Sequence, residues 1–276
     1  MTTAFVLGGG GVLGAVEVGM LQALFERGVT PDLILGTSVG ALNGAMVARD
    51  PSAAVVARLT ELWQQVAAGR EVYGDRALRT VRRAMSTGTH IYSSGPMRRR
   101  LEDEFGDTTF EDLPVRFQVC AASIERAAEH WFSSGPLVPA VVASAAVPGL
   151  LPPARVGDEH FLDGGIVNSI PLGRAVALGA DEIYVLQVGR IDRPLQVPRR
   201  PWDVARVSFE IARRHRFARE LSEVPDGVVV HVLPARGTSA RDDSLRGHRD
   251  FTSVITRIEQ TYEASLDYLD QHGVRR

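Results

Sequence analysis

The pentapeptide Gly36-Thr37-Ser38-Val39-Gly40 restricts the local backbone more than any other segment of this sequence. Apolar Leu33-Ile34-Leu35 precedes it and helix-forming Ala41-Leu42-Asn43 follows it. This pattern predicts a strand, a sharp turn and a helix, the context of a nucleophile elbow that exposes a serine hydroxyl. Small residues at Gly36 and Gly40 fit such a turn because it brings the backbone close to the neighbouring helix.

A run of four glycines, Gly8-Gly9-Gly10-Gly11, follows the apolar segment Ala4–Leu7. Its backbone N–H groups can stabilise a developing negative charge. The spacing Gly9-x-Gly11-x-x-Gly14 also matches a dinucleotide-binding fingerprint, which requires Asp or Glu at the end of the second strand. That strand ends without a carboxylate, and Asp32 lies at its beginning. A nucleophile that follows an oxyanion-binding loop so closely in the chain points instead to acyl transfer.

The order of apolar segments predicts an α/β fold. The predicted strands are Ala4–Leu7, Leu33–Leu35, Val115–Ala122, His130–Phe132, His160–Leu162, Ile183–Val188 and Val228–Leu233. The predicted helices are Val12–Arg27, Ala41–Arg49, Ser52–Val66, Pro96–Phe105, Val138–Ala146, Pro171–Leu178, Val204–Glu220 and Phe251–Asp270. Strands that alternate with helices indicate a mainly parallel sheet with helices on its faces. We expect one domain over residues 1–276, with a lid or loop over Ala67–Ser94.

Composition excludes several classes of protein. All 31 basic residues are arginine, so a P-loop lysine, a Schiff-base lysine and a Ser–Lys pair are excluded. The net charge of −2 gives no reason to expect a nucleic-acid partner. No apolar stretch approaches the ~20 residues of a membrane span, and the start does not resemble a signal peptide. Cys120 is the single cysteine, which fits a reducing compartment, and we expect a cytoplasmic protein.

Residues 190–220 are rich in arginine, with nine arginines against four acidic residues. One interpretation is a solvated helix face. The other is a patch that contacts anionic lipid head groups at a membrane surface, to which each cation contributes roughly 1 kcal/mol.

The identity of a general base is open from local sequence alone. Seven histidines occur, and none lies in a distinctive signature. Asp163-Gly164-Gly165 follows a predicted short strand, and an aspartate at such a place is either a general base or part of a simple turn.

Together these segments resemble the patatin-like phospholipase family. The glycine run through Gly14 is similar to its oxyanion motif, Gly36 to Gly40 to its elbow, and Asp163 to Gly165 to its D-G-G/A motif. The segment Ala143–Pro153 is similar to the one that precedes this aspartate. The resemblance covers residues 4–175 and implies a patatin-like, three-layer α/β/α core, with residues 176–276 as a C-terminal extension of the same domain.

The resemblance also implies a Ser–Asp dyad, with Ser38 as nucleophile and Asp163 as base. The implied oxyanion motif comprises Gly9, Gly10, Gly11, Val12 and Gly14, with N–H donors from Gly10, Gly11 and Val12. The implied elbow residues are Gly36, Thr37, Val39 and Gly40, and Gly164 and Gly165 complete the base motif. The implied substrates are phospholipids, lysophospholipids or other acyl esters, and we expect no metal ion and no cofactor.

One position departs from the family pattern. Leu13 stands where the glycine motif commonly has a basic residue. Two alternatives therefore stay open: a Ser–His–Asp hydrolase of the ordinary α/β-hydrolase fold, and a non-catalytic protein that binds lipid or nucleotide. We expect an acyl pocket near the motifs, lined by Val39, Leu42, Val147, Leu150 and Leu151.

Overall fold

The computed structural model describes residues 1–69, 89–189, 191, 194–235 and 254–274. Its strands are β1 (Thr3–Leu7), β2 (Leu33–Thr37), β3 (Arg116–Ser123), β4 (Ala128–Phe132), β5 (Ala154–Val156), β6 (Glu159–Asp163), β7 (Glu182–Leu186) and β8 (Val229–Val232). Its α-helices are α1 (Ala15–Glu26), α2 (Val39–Arg49), α3 (Ala53–Gly69), α4 (Gly95–Phe105), α5 (Leu137–Ser144), α6 (Gly165–Asn168), α7 (Leu172–Ala177), α8 (Pro201–Ser222) and α9 (Val254–Gln271).

The strands form one mainly parallel sheet, in which the pairs are β5–β6, β6–β3, β3–β2, β2–β1, β1–β7 and β7–β8, and β4 also pairs with β3. The pairs β3–β2, β2–β1, β1–β7 and β7–β8 are parallel. The strands β4 and β6 both run antiparallel to β3. The α/β class and the mainly parallel sheet predicted from the sequence are therefore confirmed.

Helices cover both faces of the sheet. In β1, Phe5 and Leu7 face one core, which contains buried residues of α1, α2, α3, α4, α5 and α9. The alternate residues Ala4 and Val6 face a second core, to which α7 and α8 contribute. Apolar residues on both faces explain why this strand is continuously hydrophobic. The result is the three-layer α/β/α arrangement that the resemblance implies.

The strands β2 and β6 meet end to end along one edge of β3. Val119 and Cys120 pair with both β2 and β4, which must therefore lie on opposite edges of β3. Residues 121–123 pair with both β4 and β6, so β6 lies on the same edge as β2. There β2 ends opposite Cys120, and β6 ends at Asp163 opposite the next residue, Ala121. Because the two strands approach from opposite directions, the residues that follow β2 lie beside Asp163.

Several predicted boundaries were wrong. The predicted helix Val12–Arg27 is a 3-10 turn over Gly11–Gly14 followed by α1, because the glycine run bends the backbone before a regular helix begins. The strand predicted to reach Val188 ends at Leu186. The short elements β5 and α6 were not predicted. Most of the predicted lid or loop, at residues 70–88, lies outside the described residues, as do residues 251–253 of the last predicted helix.

None of the helices in the described ranges is both long enough and apolar enough to cross a membrane.

Candidate active site

The predicted elbow is a strained turn between β2 and α2. Ser38 has φ 57° and ψ −122°, a positive φ that is uncommon for a residue with a side chain. A Cβ on Gly40 would lie 2.2 Å from the carbonyl oxygen of Leu7, and one on Gly36 would lie 2.7 Å from the Cα of Ala41. Glycine at both positions therefore lets the turn pack against β1 and against the first turn of α2. The chain therefore turns sharply at Ser38 between a strand and a helix.

The Ser38 hydroxyl donates a hydrogen bond to Asp163, with 2.6 Å between Oγ and Oδ2. Both residues are buried, with 6% and 5% of their surface exposed. The other oxygen of the carboxylate, Oδ1, accepts the N–H of Gly165 at 2.7 Å. Burial raises the pKa of Asp163 to about 6, although the bonds from Ser38 and Gly165 act to lower it. A carboxylate in this environment accepts a proton more readily than an exposed aspartate.

The glycine loop runs beside the serine. A Cβ on Gly9 would lie 3.4 Å from the Cβ of Ser38. The N–H of Gly9 donates to the carbonyl of Ser169 at 2.9 Å, so this amide is already occupied. Gly10 has φ 169° and ψ 17°, and Gly11 has φ 58°, and together they turn the chain into the 3-10 segment.

Two amides of the loop remain available to a ligand. Within the described part of the chain, the N–H groups of Gly10 and Gly11 have no intramolecular acceptor, as is usual at the start of a helix. Gly14 has a packing role, because a Cβ there would lie 2.2 Å from Cγ2 of Val39.

Two hydrogen bonds stabilise the elbow, and neither was predicted from the sequence. The hydroxyl of Ser144, at the end of α5, accepts the N–H of Ser38 at 2.8 Å. The hydroxyl of Thr37 donates to the carbonyl of Asn168 at 2.9 Å. A lone hydroxyl at the end of an apolar helix was the available signal for Ser144, but the sequence does not say which amide it binds.

A buried polar network supports the glycine turn and was also missed. Asn43 of α2 donates to Glu17 at 2.7 Å and to the carbonyl of Gly14 at 3.0 Å. The indole N–H of Trp63 donates to the Asn43 side-chain oxygen at 3.1 Å. Burial raises the pKa of Glu17 well above its ordinary value. This network ties α1, α2 and α3 together next to the elbow.

A largely apolar cavity of about 190 Å³ opens at Ser38. Four of the five predicted pocket residues line it, namely Val39, Leu42, Val147 and Leu151. Leu150 is not among its lining residues within the described chain. The remaining wall comes mainly from α3 and α4, with Gly11 at its edge, and it includes the polar side chains of Asn43, Arg100 and Glu104. An apolar lining of this kind suits a hydrocarbon group.

Three of the described histidines lie beside charged side chains away from Ser38. The ring of His160 is exposed and lies 2.7 Å from Glu125. His130 contacts Arg126 at 2.7 Å, and His231 lies 3.6 Å from Glu182. His248 lies outside the described residues. Within the described ranges, no group of three or more His, Cys, Asp or Glu residues could hold a metal ion.

The arginine-rich segment divides into two parts. Arg213, Arg214 and Arg216 of α8 form ion pairs with glutamates within the chain. Arg199 and Arg200 are exposed, and contact between this segment and lipid head groups stays a prediction. Arg190 and Arg193 lie outside the described residues.

Leu13, which replaces the usual basic residue, is buried in the core with 5% of its surface exposed.

Comparison with known proteins agrees with this arrangement. The family model described as "Patatin-like phospholipase" matches residues 5–176. Lysophospholipase nte1 of Aspergillus terreus is 33% identical over 199 residues, which are 69% of this chain and 12% of that protein. Lysophospholipase NTE1 of Candida glabrata is 33% identical over 192 residues, 68% of this chain and 10% of that protein. The chain thus spans about a tenth of the length of these curated relatives.

Solved structures are more distant. VipD from Legionella pneumophila superposes with a TM-score of 0.48 at 15% identity, over 98% of this chain and 66% of that one. ExoU from Pseudomonas aeruginosa, in its complex with SpcU, gives 0.42 at 16% identity, over 98% of this chain and 51% of that one. The family model covers more than half of the sequence, including both the elbow and the aspartate motif. The chain belongs to the patatin-like phospholipase family.

Proposed function

We propose that this protein is a serine acyl hydrolase that cleaves carboxylic esters of phospholipids, with Ser38 as nucleophile and Asp163 as base. The observation that carries the proposal is the 2.6 Å hydrogen bond from the serine hydroxyl to the buried carboxylate. Nucleophilic catalysis by serine requires a proton acceptor within hydrogen-bond distance, and Asp163 meets that requirement.

In the acylation step, Oγ of Ser38 attacks the ester carbonyl carbon while its proton moves to Asp163. The carbonyl oxygen becomes an oxyanion, which the N–H groups of Gly10, Gly11 and Val12 stabilise. The tetrahedral intermediate then collapses, and Asp163 returns the proton to the departing alcohol. The products of this step are an ester of Ser38 and a glycerol-containing alcohol.

Deacylation repeats the sequence with water. Asp163 accepts a proton from a water molecule as the water oxygen attacks the acyl-serine carbonyl, and the same amides stabilise the second oxyanion. Collapse breaks the bond to Oγ, and the serine recovers its proton from Asp163. A fatty acid is released.

Lysophospholipids are the first substrates to test. The apolar cavity at Ser38 supports an acyl chain, and the relatives from Aspergillus terreus and Candida glabrata bear the name lysophospholipase. A lysophospholipid carries one acyl chain, so a single apolar cavity is sufficient to bind it.

The test combines a fluorophosphonate probe with fatty-acid release. We expect the probe to label Ser38, located by peptide mass spectrometry, and lysophosphatidylcholine to be hydrolysed faster than its diacyl counterpart. Ser38→Ala and Asp163→Asn should each lower kcat by a factor on the order of 10³ or more. Far-ultraviolet circular dichroism shows whether each variant keeps its fold.

His160→Ala is the matched control, because His160 lies three residues before Asp163 on the same strand and its exposed ring binds Glu125. We expect it to retain most of the activity. If His160→Ala were the inactive variant, a histidine base would replace the dyad. If the wild-type protein were neither labelled nor active on any ester, a non-catalytic lipid-binding protein would replace the hydrolase.

A further inference from the structure

Two arginines of α8, the buried Arg213 and the partly buried Arg216, donate hydrogen bonds to backbone carbonyls behind the candidate site. Nη1 of Arg213 donates to the carbonyl of Val188 at 3.0 Å, and the Arg213 side chain is only 3% exposed. One turn further along the helix, Arg216 donates to the carbonyl of Val167. Hydrogen bonds from a charged donor are stronger than neutral ones, so each carbonyl is held firmly.

The carbonyl held by Arg213 belongs to a residue that packs against the glycine loop. A Cβ built on Gly10 would lie 2.6 Å from the Cβ of Val188, so Val188 rests directly on the bare Cα of Gly10. The loop is joined to the same segment by a hydrogen bond from the N–H of Gly8 to the carbonyl of Leu186, at 2.9 Å. Movement of Val188 therefore moves the amide of Gly10.

The carbonyl held by Arg216 belongs to α6, the short helix that follows Asp163. The first residue of α6, Gly165, donates its N–H to the carboxylate of Asp163, and the last, Asn168, accepts the hydroxyl of Thr37. Arg216 is itself fixed from two sides, by Glu129 of β4 at 2.8 Å and by Glu220 at 2.7 Å. Movement of α6 therefore alters the hydrogen bonds of Asp163.

The same helix contacts α6 through an aromatic ring. A Cβ on Gly165 would lie 3.0 Å from Cζ of Phe209 and 2.9 Å from Oδ1 of Asp163. Glu220, near the end of α8, accepts the N–H of Gly173 at 2.8 Å. One helix thus contacts the segments that follow both β6 and β7.

We infer that Arg213 and Arg216 are positioning residues, which fix the oxyanion-binding amide of Gly10 and the carboxylate of Asp163 relative to Ser38. This inference rests on the proposed hydrolase function. Neither arginine is placed to touch substrate: each acts through the backbone of another residue. A displacement of about 1 Å in a catalytic group can lower a rate about a hundredfold, so small shifts of these segments matter.

The experiment measures kcat, KM, pH dependence and thermal unfolding of Arg213→Lys, Arg213→Met and Arg216→Lys, with a short soluble ester as substrate. Lysine keeps the charge but lacks the fork that reaches two acceptors at once. Arg219→Lys is the matched control, because Arg219 lies on the same helix, is exposed and only approaches Glu223, at 4.0 Å. Fluorophosphonate titration counts the competent sites, so that kcat is expressed per folded molecule.

The expected results differ between the two arginines. Arg213→Lys should lower kcat per site about tenfold or more while KM changes less than about twofold. Arg216→Lys should move the acidic limb of the kcat/KM profile to higher pH, because a weakened bond from Gly165 no longer favours the Asp163 carboxylate. The control should match the wild type in both measurements.

A purely structural role predicts a lower melting temperature with unchanged kcat per site and an unchanged pH profile, and that result would overturn the inference. If Arg213→Met does not fold, Arg213→Lys decides the question by the same criteria. Measurements on the wild-type protein distinguish a failure of this inference from a failure of the proposed hydrolase function. If the wild type hydrolyses esters and the lysine variants behave like it, only the positioning role is lost; if the wild type is inert, both proposals fail.

Discussion

The hydroxyl of Ser144 lies 2.8 Å from the backbone nitrogen of Ser38, a residue 106 positions earlier in the chain. This bond fixes the strained turn at the end of β2. Ser144→Ala leaves the buried N–H of Ser38 without its acceptor, which we expect to cost about 1–3 kcal/mol of the free energy of unfolding. We also expect kcat to fall about tenfold because the orientation of the Ser38 hydroxyl relaxes. Urea unfolding and ester hydrolysis measure the two effects; wild-type values in both would contradict the prediction.

The pH dependence of hydrolysis should follow the titration of Asp163. In the proposed mechanism only the carboxylate form of Asp163 accepts the serine proton, and burial raises the pKa of Asp163 to about 6. We therefore expect kcat/KM to be constant above that pH and to fall about tenfold per pH unit below it. The measurement is a pH–rate profile between pH 4 and 9 with a soluble ester. An acidic limb near pH 4, the range of an exposed aspartate, would contradict the raised pKa of Asp163.

Asp163 should also lower the stability of the folded protein at neutral pH. Its pKa rises from 3.8 to about 6 on folding, so the folded state binds the proton more tightly than the unfolded chain does. The associated stabilisation is complete below about pH 4 and is lost as the pH rises through 6. At pH 7 the loss is on the order of 3 kcal/mol, at 1.36 kcal/mol per pKa unit.

The variant Asp163→Asn removes that titration. We expect the free energy of unfolding of the wild type to decrease between pH 4 and 7 relative to the variant, while the variant is the inactive protein of the two. Denaturant unfolding at both pH values tests this. Parallel pH profiles for the two proteins would show that the carboxylate is not perturbed by folding.

Two glycines of the same run should tolerate a methyl group differently. A Cβ on Gly10 would lie 2.6 Å from Val188, whereas the nearest atom to a Cβ on Gly8 is 3.4 Å away. Gly10→Ala should therefore displace the loop, destabilise the fold by about 1–3 kcal/mol and lower kcat at least about tenfold. Gly8→Ala should stay within about twofold of wild-type kcat. Equal effects from the two substitutions on stability and kcat would show that close contact with Val188 does not explain the sensitivity of Gly10.

Restoring a basic residue at position 13 should fail. Leu13 is buried among apolar side chains, and an arginine there would place an unpaired charge in the core. We expect Leu13→Arg to destabilise the protein by several kcal/mol and to yield little folded material, as measured by thermal unfolding. Leu13→Met keeps the volume and should cost less than about 1.5 kcal/mol. A folded arginine variant with faster turnover would instead show that a missing cation limits the rate.

The parts of the site that could be predicted from the sequence are those formed by consecutive residues. The elbow needs Gly36 and Gly40 within one turn, and the base motif follows its strand directly, so both leave a local pattern. Partners that only the folded chain brings together leave none. Ser144, Arg213 and Arg216 bind backbone groups that are 106, 25 and 49 residues away. Because nearly every residue carries the same backbone groups, the sequence does not indicate which of them is bound.

The arginine-rich segment, residues 190–220, is a second case in which tertiary contacts could not be predicted from the sequence. Charge alone suggested either a solvated face or a lipid-binding patch for residues 190–220. The buried position of Arg213 and the partly buried position of Arg216 depend on which face of α8 packs against β4 and α6, and composition does not encode that choice. Boundaries near glycine were wrong for a related reason: glycine adopts conformations that depend on its tertiary neighbours, as Gly11 does with φ 58°.

The end-to-end meeting of β2 and β6 on β3 also has a consequence for the order of events during synthesis. The serine emerges from the ribosome with the first two strands, but its aspartate arrives 125 residues later, on a strand that must pair antiparallel beside the finished turn. A nascent or truncated chain that lacks β6 carries Ser38 without Asp163, its proposed base. Under the proposed mechanism Ser38 is therefore unreactive until β6 has paired, and its labelling by a fluorophosphonate would report that this edge of the sheet has formed.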